Sequence, residues 1–143
     1  MLKGIPSILS PELLKILMEM GHGDEIVIGD GNFPAANYAR NLIRLDGHGA
    51  NEVLQAILKV MPLDTYAPNV VLMQKMECDK DLDIPIWKDF EKIAKEGDGG
   101  FKGLNYIDRF EFYERAKGAY AVIATGETSI YANVLLKKGV VSA

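Results

Sequence analysis

The stretch MEMGHGDEIVIGDGNFP, residues 18–34, holds side chains that could move protons. His22 lies between two glycines, and Asp30 lies in a second Gly-rich turn further along the same stretch. Imidazole titrates near neutral pH and a carboxylate can accept protons or orient a ligand, so the pair indicates acid/base chemistry. A helix C-terminus also favours histidine, so on residue type alone a catalytic and a helix-capping His22 are equally supported.

Other polar side chains lie at the predicted ends of helices and strands. Ligands of α/β sheets collect at strand ends and in the loops beyond them, so this distribution suits a small polar ligand. Asp30 and Asp64 are also ordinary turn residues, whose carboxylates often bond their own backbone instead. The remaining candidates are Tyr66, Arg109, Tyr113, Tyr131 and Asn133.

Common cofactor and metal motifs are absent from the sequence. Gly29 and Gly31 follow a predicted strand, but Pro34 stands where a dinucleotide fingerprint needs its third glycine. Two histidines and one cysteine are too few for the usual zinc sites, and His48 is predicted to be a solvated surface residue. We therefore expect no metal and no cofactor.

Apolar periodicity predicts the elements that position these residues. Ser10 and Pro11 predict the start of a helix that ends before Gly21, and residues 25–28 predict a buried strand. A second helix is predicted over about residues 51–61 and a strand over 69–76. Two later helices are predicted in IPIWKDFEKIAKEGDGG and RFEFYERAKGA, and two later strands in YAVIATGE and NVLLKKGVV.

This alternation predicts one α/β domain over residues 1–143, with a central β-sheet and helices packed on its faces. In the late helix RFEFYERAKGA, the three aromatic residues are predicted to be core, and Glu111 is predicted to pair with Arg115.

Composition limits the partners and the compartment. With 48% hydrophobic residues, the chain has enough apolar material for one core. The net charge of −4 argues against nucleic acid and anionic membranes, which need clustered Lys and Arg. No run of ~18 apolar residues predicts a membrane span, and no leader pattern is evident. Because Cys78 is the only cysteine, we expect a cytoplasmic protein.

Four separated blocks of the sequence resemble a known family. They are LSPELLKILMEMGHGDEIVIGDGNFPA, LDTYAP, RFEFYERAKGAYAVIATGE and YANVLLKKGV. Together, in this order over nearly the whole chain, they resemble the sugar-anomer-converting family of L-fucose mutarotases and D-ribose pyranases. The RFEFYERA block is similar to the fucose branch, whereas Ala132, between Tyr131 and Asn133, is similar to the ribose pyranases.

The resemblance implies an isomerase that interconverts the α and β anomers of L-fucose without cofactor or metal. It implies that His22 is the general acid/base. We predict Tyr113 as its partner in proton transfer, because a phenol could act at O1 or O5. The family also implies a homo-oligomer, a decamer of ring-shaped assemblies, whose sites a neighbouring subunit completes. The implied substrate-binding residues are Asp30, Asp64, Met73, Arg109, Tyr131 and Asn133.

The chemistry is within reach of these residue types. Opening a hemiacetal needs a proton at the ring oxygen and loss of one from the anomeric hydroxyl, and a positioned acid/base contributes about 10²–10⁴-fold. Three alternatives stay open at this point: D-ribose pyranase-type activity on a related pyranose, a non-catalytic sugar-binding protein, and a metal-dependent sugar enzyme using His22.

Overall fold

The computed structural model describes residues 1–142, which form a six-stranded sheet in the order β2-β5-β1-β6-β3-β4. The strands are β1 (Glu25–Gly29), β2 (Leu42–Leu45), β3 (Val70–Met73), β4 (Leu104–Ile107), β5 (Ala121–Thr125) and β6 (Val134–Lys137). The helices are α1 (Pro11–Glu19), α2 (Ala35–Tyr38), α3 (Ala50–Leu58), α4 (Ile86–Gly97) and α5 (Arg109–Gly118), and a 3-10 turn spans Glu77–Asp79. None of the helices within residues 1–142 is long and apolar enough to cross a membrane.

The direction of β6 decides which loops meet. It runs antiparallel to β1 and β3, whereas β5 pairs in parallel with β1 and β2, and β4 in parallel with β3. Val134 at the start of β6 is in register with Ile28 of β1 and Leu72 of β3. The carboxyl ends of five strands and the loop before β6 therefore lie together, at what we call the carboxyl end of the sheet. The opposite side is its amino end.

Helices cover both faces of the sheet, as predicted. Because side chains alternate along a strand, Ile26 and Ile28 enter one core and Val27 enters the other. The first core contains α1, α3 and α4, with Phe90 fully buried. The second contains α2 and α5, with Phe112 fully buried. The predicted architecture is confirmed.

Helix α1 begins where the sequence predicts and ends differently. The Ser10 hydroxyl accepts a hydrogen bond from the backbone of the first turn at 3.2 Å, and Pro11 occupies the first helical position. Met20 then turns extended, and Gly21 does not adopt the left-handed conformation. Instead the Lys138 ammonium donates to carbonyls at the helix end, where a cation is electrostatically favoured.

Some predicted boundaries are wrong, and three elements were not predicted. Helix α3 ends at Leu58 and β3 is limited to Val70–Met73. The short α2 and the two edge strands, LIRL of β2 and LNYI of β4, have no counterpart among the predicted elements. Both edge strands are only partly buried, so they lack the continuous apolar run that marks a central strand.

Helix α5 differs from its prediction in two side chains. Phe112 is buried as expected, but Phe110 is 69% exposed, since it lies on the face of α5 away from the sheet. Arg115 pairs with Glu25 of β1 instead of Glu111, which fastens the helix to the start of that strand.

Candidate functional site

A cavity of about 320 Å³ opens at the carboxyl end of the sheet. It lies where the loops after β1, β3 and β4 meet the loop before β6. Of the predicted site residues, the structure brings together Asp30, Met73, Arg109, Tyr113, Tyr131 and Asn133. The other lining residues are Asn32, Phe33, Pro34, Met76, Asp79 and Ile130.

Asp30 is 6% exposed and held by the backbone around it. Its Oδ1 accepts the N–H of Asn32 at 3.0 Å, and its Oδ2 accepts the N–H of Ala132 at 3.3 Å. Its own N–H donates to Oδ1 of Asn133 at 2.8 Å. Burial raises the pKa of the Asp30 carboxyl, and the hydrogen bonds offset only part of that effect. Further donors from a ligand would stabilise its charged form.

Tyr131 has a left-handed backbone, with φ of 53°, the only such residue besides glycine in residues 1–142. This conformation costs roughly 1–2 kcal/mol for an L-residue. Its hydroxyl donates to Oδ2 of Asp79 at 2.5 Å and accepts the N–H of Met76 at 3.2 Å. Its carbonyl accepts the indole N–H of Trp87 at 2.8 Å. Burial and the Asp79 carboxylate raise the pKa of the Tyr131 phenol, which keeps it protonated at neutral pH.

Arg109 brings an unsatisfied donor to the cavity. Asp108 caps α5 by accepting the N–H of Glu111 at 3.0 Å, so the helix starts immediately after β4 and carries Arg109 to the carboxyl end. The Nε of Arg109 is buried and has no hydrogen-bond partner within residues 1–142. A buried donor without a partner is uncommon in folded proteins, and a ligand hydroxyl would satisfy it.

Aromatic rings form the apolar part of the cavity. The ring of Tyr113 stacks on that of Tyr38 with 4.9 Å between the ring centroids, and its centroid lies 5.9 Å from that of Phe33. Gly29 allows this arrangement, because a Cβ at that position would lie 2.8 Å from Cβ of Phe33. Met73, which is 4% exposed, adds a further apolar surface. The cavity thus combines directional polar groups with surface that can cover C–H groups.

His22 and Asp64 lie at the opposite, amino end of the sheet. Nε2 of His22 is 3.1 Å from Oδ1 of Asp64, and the two side chains are 46% and 5% exposed. Strand β1, roughly 16 Å long at the usual rise per residue, separates this pair from Asp30. His22 and Asp30 of one chain therefore do not line the same cavity.

The His22 imidazole lies between a buried carboxylate and an exposed aromatic ring. Oδ1 of Asp64 also accepts the N–H of Tyr66 at 3.1 Å; this bond, followed by the contact with His22, lowers the pKa of the Asp64 carboxyl. The Tyr66 ring lies 5.5 Å from the imidazole and is 83% exposed. Gly23, with φ of 87°, lets the chain turn back into β1. A buried carboxylate thus orients an accessible imidazole.

His48 behaves as a surface residue, in agreement with its prediction. Its Nδ1 is 3.0 Å from Oε1 of Glu52, and both side chains are at least 40% exposed. This second histidine–carboxylate pair lies apart from the cavity.

Sequence reasoning missed half of the cavity lining. Asn32, Phe33 and Pro34 belong to the turn that begins at Asp30, so extending that turn would have included them. Met76 and Asp79 carry no local signal; they line the cavity from the loop after β3, where both bond the hydroxyl of Tyr131.

Comparison with known proteins finds relatives that match the whole chain. The model of the RbsD / FucU transport protein family matches residues 3–141. The fucose mutarotase of Homo sapiens is 49% identical over 147 residues, covering 99% of this chain and 95% of that protein. The L-fucose mutarotase of Histophilus somni is 47% identical, covering 98% and 97%.

The fold agrees with a solved relative. The fucose mutarotase from Streptococcus pneumoniae, whose crystal structure was solved in complex with L-fucose, superimposes with a TM-score of 0.90. It is 48% identical in sequence, and the match covers 99% of this chain and 100% of that one.

Proposed function

The chain belongs to the RbsD / FucU transport protein family, and from that premise we propose that it is a cofactor-independent L-fucose mutarotase. The reaction is an isomerisation that interconverts the α and β anomers of the free sugar. The observation that carries this conclusion is the full-length similarity, at 47–49% identity, to relatives named fucose mutarotases, one of them solved with L-fucose.

The reaction asks little of the protein beyond proton transfer and positioning. The ring opens when the ring oxygen gains a proton and the anomeric hydroxyl loses one. It recloses when the C5 hydroxyl, formed from the ring oxygen, attacks the other face of the aldehyde and loses its proton while the aldehyde oxygen gains one. No electron or group leaves the sugar. Hydrogen bonds must therefore hold the sugar at atoms distant from C1, so that C1 is free to turn.

The cavity at the carboxyl end supplies the sugar-binding half of the proposed site. The Asp30 carboxylate accepts hydrogen bonds from ring hydroxyls, and the unpaired Nε of Arg109 donates one. Met73 and the Phe33 ring cover the C–H surface of the sugar, including the 6-methyl group of a deoxy sugar. Asn133 and Tyr131 line the same cavity and complete the binding set.

We assign the proton-transfer half to His22 of a neighbouring subunit, oriented by Asp64. Three features support this assignment: His22 and Asp30 lie at opposite ends of the sheet, neither His22 nor His48 is among the described residues that line the cavity, and Tyr66 exposes its ring beside His22. An interface that joins two different ends of the subunit repeats head to tail, and it forms a ring where the rotation between neighbouring subunits closes. A homo-oligomer of rings, with the decamer as its expected form, is therefore part of the proposal.

Tyr113 is proposed as the second proton carrier. Its ring lines the cavity, and its hydroxyl has no hydrogen-bond partner within the described residues.

Because the lone cysteine, Cys78, is exposed and free, we place the protein in the reducing cytoplasm.

Saturation-transfer NMR of the anomeric protons tests the proposed function. The wild type should accelerate α/β exchange of L-fucose, and His22→Gln should reduce that acceleration about 10²–10⁴-fold, the usual contribution of a general acid/base. His48→Gln is the matched control, since it also removes an exposed histidine paired with a carboxylate, and it should leave exchange unchanged.

Two outcomes would contradict the proposal. Saturable fucose binding without faster exchange would make the protein a sugar-binding protein. Faster exchange with D-ribose than with L-fucose, measured together with galactose and glucose, would assign it to the pyranase reaction instead.

A further inference from the structure

Three consecutive residues before β6 shape one side of the cavity. Tyr131 lines it, the N–H of Ala132 donates to Oδ2 of Asp30, and Oδ1 of Asn133 accepts the N–H of Asp30. The orientation of the peptide between Tyr131 and Ala132 therefore sets both the wall of the cavity and the hydrogen bonding of its carboxylate. That peptide follows the one left-handed backbone outside glycine in residues 1–142.

A residue outside the cavity holds this peptide. Trp87, in the first turn of α4, donates its indole N–H to the carbonyl of Tyr131 at 2.8 Å. The centroid of its ring lies 5.1 Å from that of Tyr106 on the edge strand β4. The Lys75 ammonium lies 5.7 Å from the centroid of the Trp87 ring. Trp87 is not among the residues that line the cavity.

The hydrogen bond from Trp87 goes to the carbonyl of the residue that has the left-handed backbone. A left-handed tyrosine persists only where its surroundings hold it, because an L-residue relaxes toward negative φ. The hydrogen bonds to Asp79 and Met76 hold the phenol, and within residues 1–142 the bond from Trp87 is the one that holds the carbonyl.

We propose that Trp87 is a positioning residue of the sugar site: its indole N–H fixes the Tyr131 carbonyl, and the fixed peptide in turn places the Ala132 N–H on Asp30. The inference deepens the proposed function, since the site that Trp87 organises is the proposed fucose site. It assigns Trp87 no contact with the sugar.

Trp87→Phe removes the N–H donor and the second ring of the indole, and it keeps an aromatic ring beside Tyr106. We expect the fucose exchange rate at saturating sugar to fall about tenfold, equivalent to ~1.4 kcal/mol, a typical net value for one hydrogen bond. Tyr106→Phe is the matched control: it keeps the ring against Trp87, touches nothing near Tyr131, and should retain full exchange.

The carboxyl of Asp30 gives a readout that does not depend on activity. The bond from Ala132 favours its charged form, so losing that bond in Trp87→Phe should raise the pH at which Asp30 titrates, followed by ¹³C NMR. Arg109 and Asp79, the other charged groups of the cavity, are the same in both proteins. An unchanged Asp30 titration overturns the positioning role, even if the wild type should prove inactive on fucose.

A second background separates positioning from folding. Glycine adopts positive φ without strain, so Tyr131→Gly removes the need for the bond. Trp87→Phe should then change neither the Asp30 titration nor the thermal stability further. A loss of the same size in both backgrounds, or a double variant that does not fold, would assign Trp87 to core packing and overturn the proposal.

Discussion

Replacing Asp30 with asparagine should separate activity from stability. The substitution keeps the shape of the side chain but removes the charge that the cavity makes costly. With one oxygen and one NH₂ group, asparagine can accept from only one of the two N–H groups, of Asn32 and Ala132, that the carboxylate now accepts. It also removes the acceptor that the proposed mechanism assigns to the sugar hydroxyls.

Two opposing terms set the effect on stability. Each unit by which folding raises a carboxyl pKa costs about 1.4 kcal/mol at pH values above both pKa values, and Asp30→Asn removes this cost. Leaving one buried N–H unpaired costs about 1–3 kcal/mol. The net change at pH 7 should therefore be small, within a few degrees of melting temperature. Exchange of fucose should fall about 10²-fold, in the range of a lost catalytic or orienting group.

The pH dependence of stability tests whether burial raises the pKa of Asp30. Because the folded pKa of Asp30 is raised, the wild type gains stability as the pH falls through that value, and Asp30→Asn gains none. The melting temperature of the variant minus that of the wild type should therefore decrease as the pH falls through the folded pKa of Asp30 toward its lower unfolded value. Asp64→Asn should show the opposite sign below the unfolded pKa, because the folded pKa of Asp64 is lowered and its stabilisation is lost in acid.

A difference for Asp30→Asn that stays constant with pH would refute the argument from burial. So would a difference that increases on acidification, since it would mean that folding favours the charged form of Asp30.

Two further variants test single contacts. Arg109→Lys keeps the positive charge but removes the buried Nε, so we expect KM for fucose to rise about tenfold with no loss of melting temperature; an unchanged KM would show that Nε does not bind the sugar. Asp64→Asn weakens the contact that orients His22. In the same exchange assay, kcat should fall about tenfold or more while KM stays within about twofold. Equal changes in kcat and KM would place Asp64 in sugar binding instead.

The central part of the fold could be predicted because its signals are local. The cap at Ser10 and the apolar runs of β1, β3, β5 and β6 are properties of neighbouring residues. The edge strands carry no such signal, because LIRL and LNYI are only partly buried. Each pairs with one neighbouring strand, β5 for LIRL and β3 for LNYI, and becomes a strand through that pairing. Their prediction required the sheet order, which no single stretch of sequence contains.

The site was predicted in part for the same reason. Asp30, Arg109 and Asn133 were found because each adjoins a strand, and strand ends converge at the carboxyl end. His22 is close to Asp30 in the sequence, but an extended strand runs between them and carries them to opposite ends. Asp79 and Trp87 were missed because they act on Tyr131 across 52 and 44 residues of chain.

The most direct test of the shared fucose site is complementation between two inactive variants. His22→Gln destroys the proposed proton-transfer half of each subunit, and Asp30→Asn destroys the sugar-binding half. If each site draws these halves from two different subunits, unfolding and refolding an equal mixture should restore about a quarter of the sites to wild-type composition.

Saturation-transfer NMR with L-fucose measures the outcome. We expect the co-refolded mixture to regain about a quarter of wild-type exchange, while each variant refolded alone stays inactive. Exchange in the mixture no greater than the average of the two separate variants would contradict a site shared between subunits, because it would place His22 and Asp30 at the sites of the same subunit or outside the reaction.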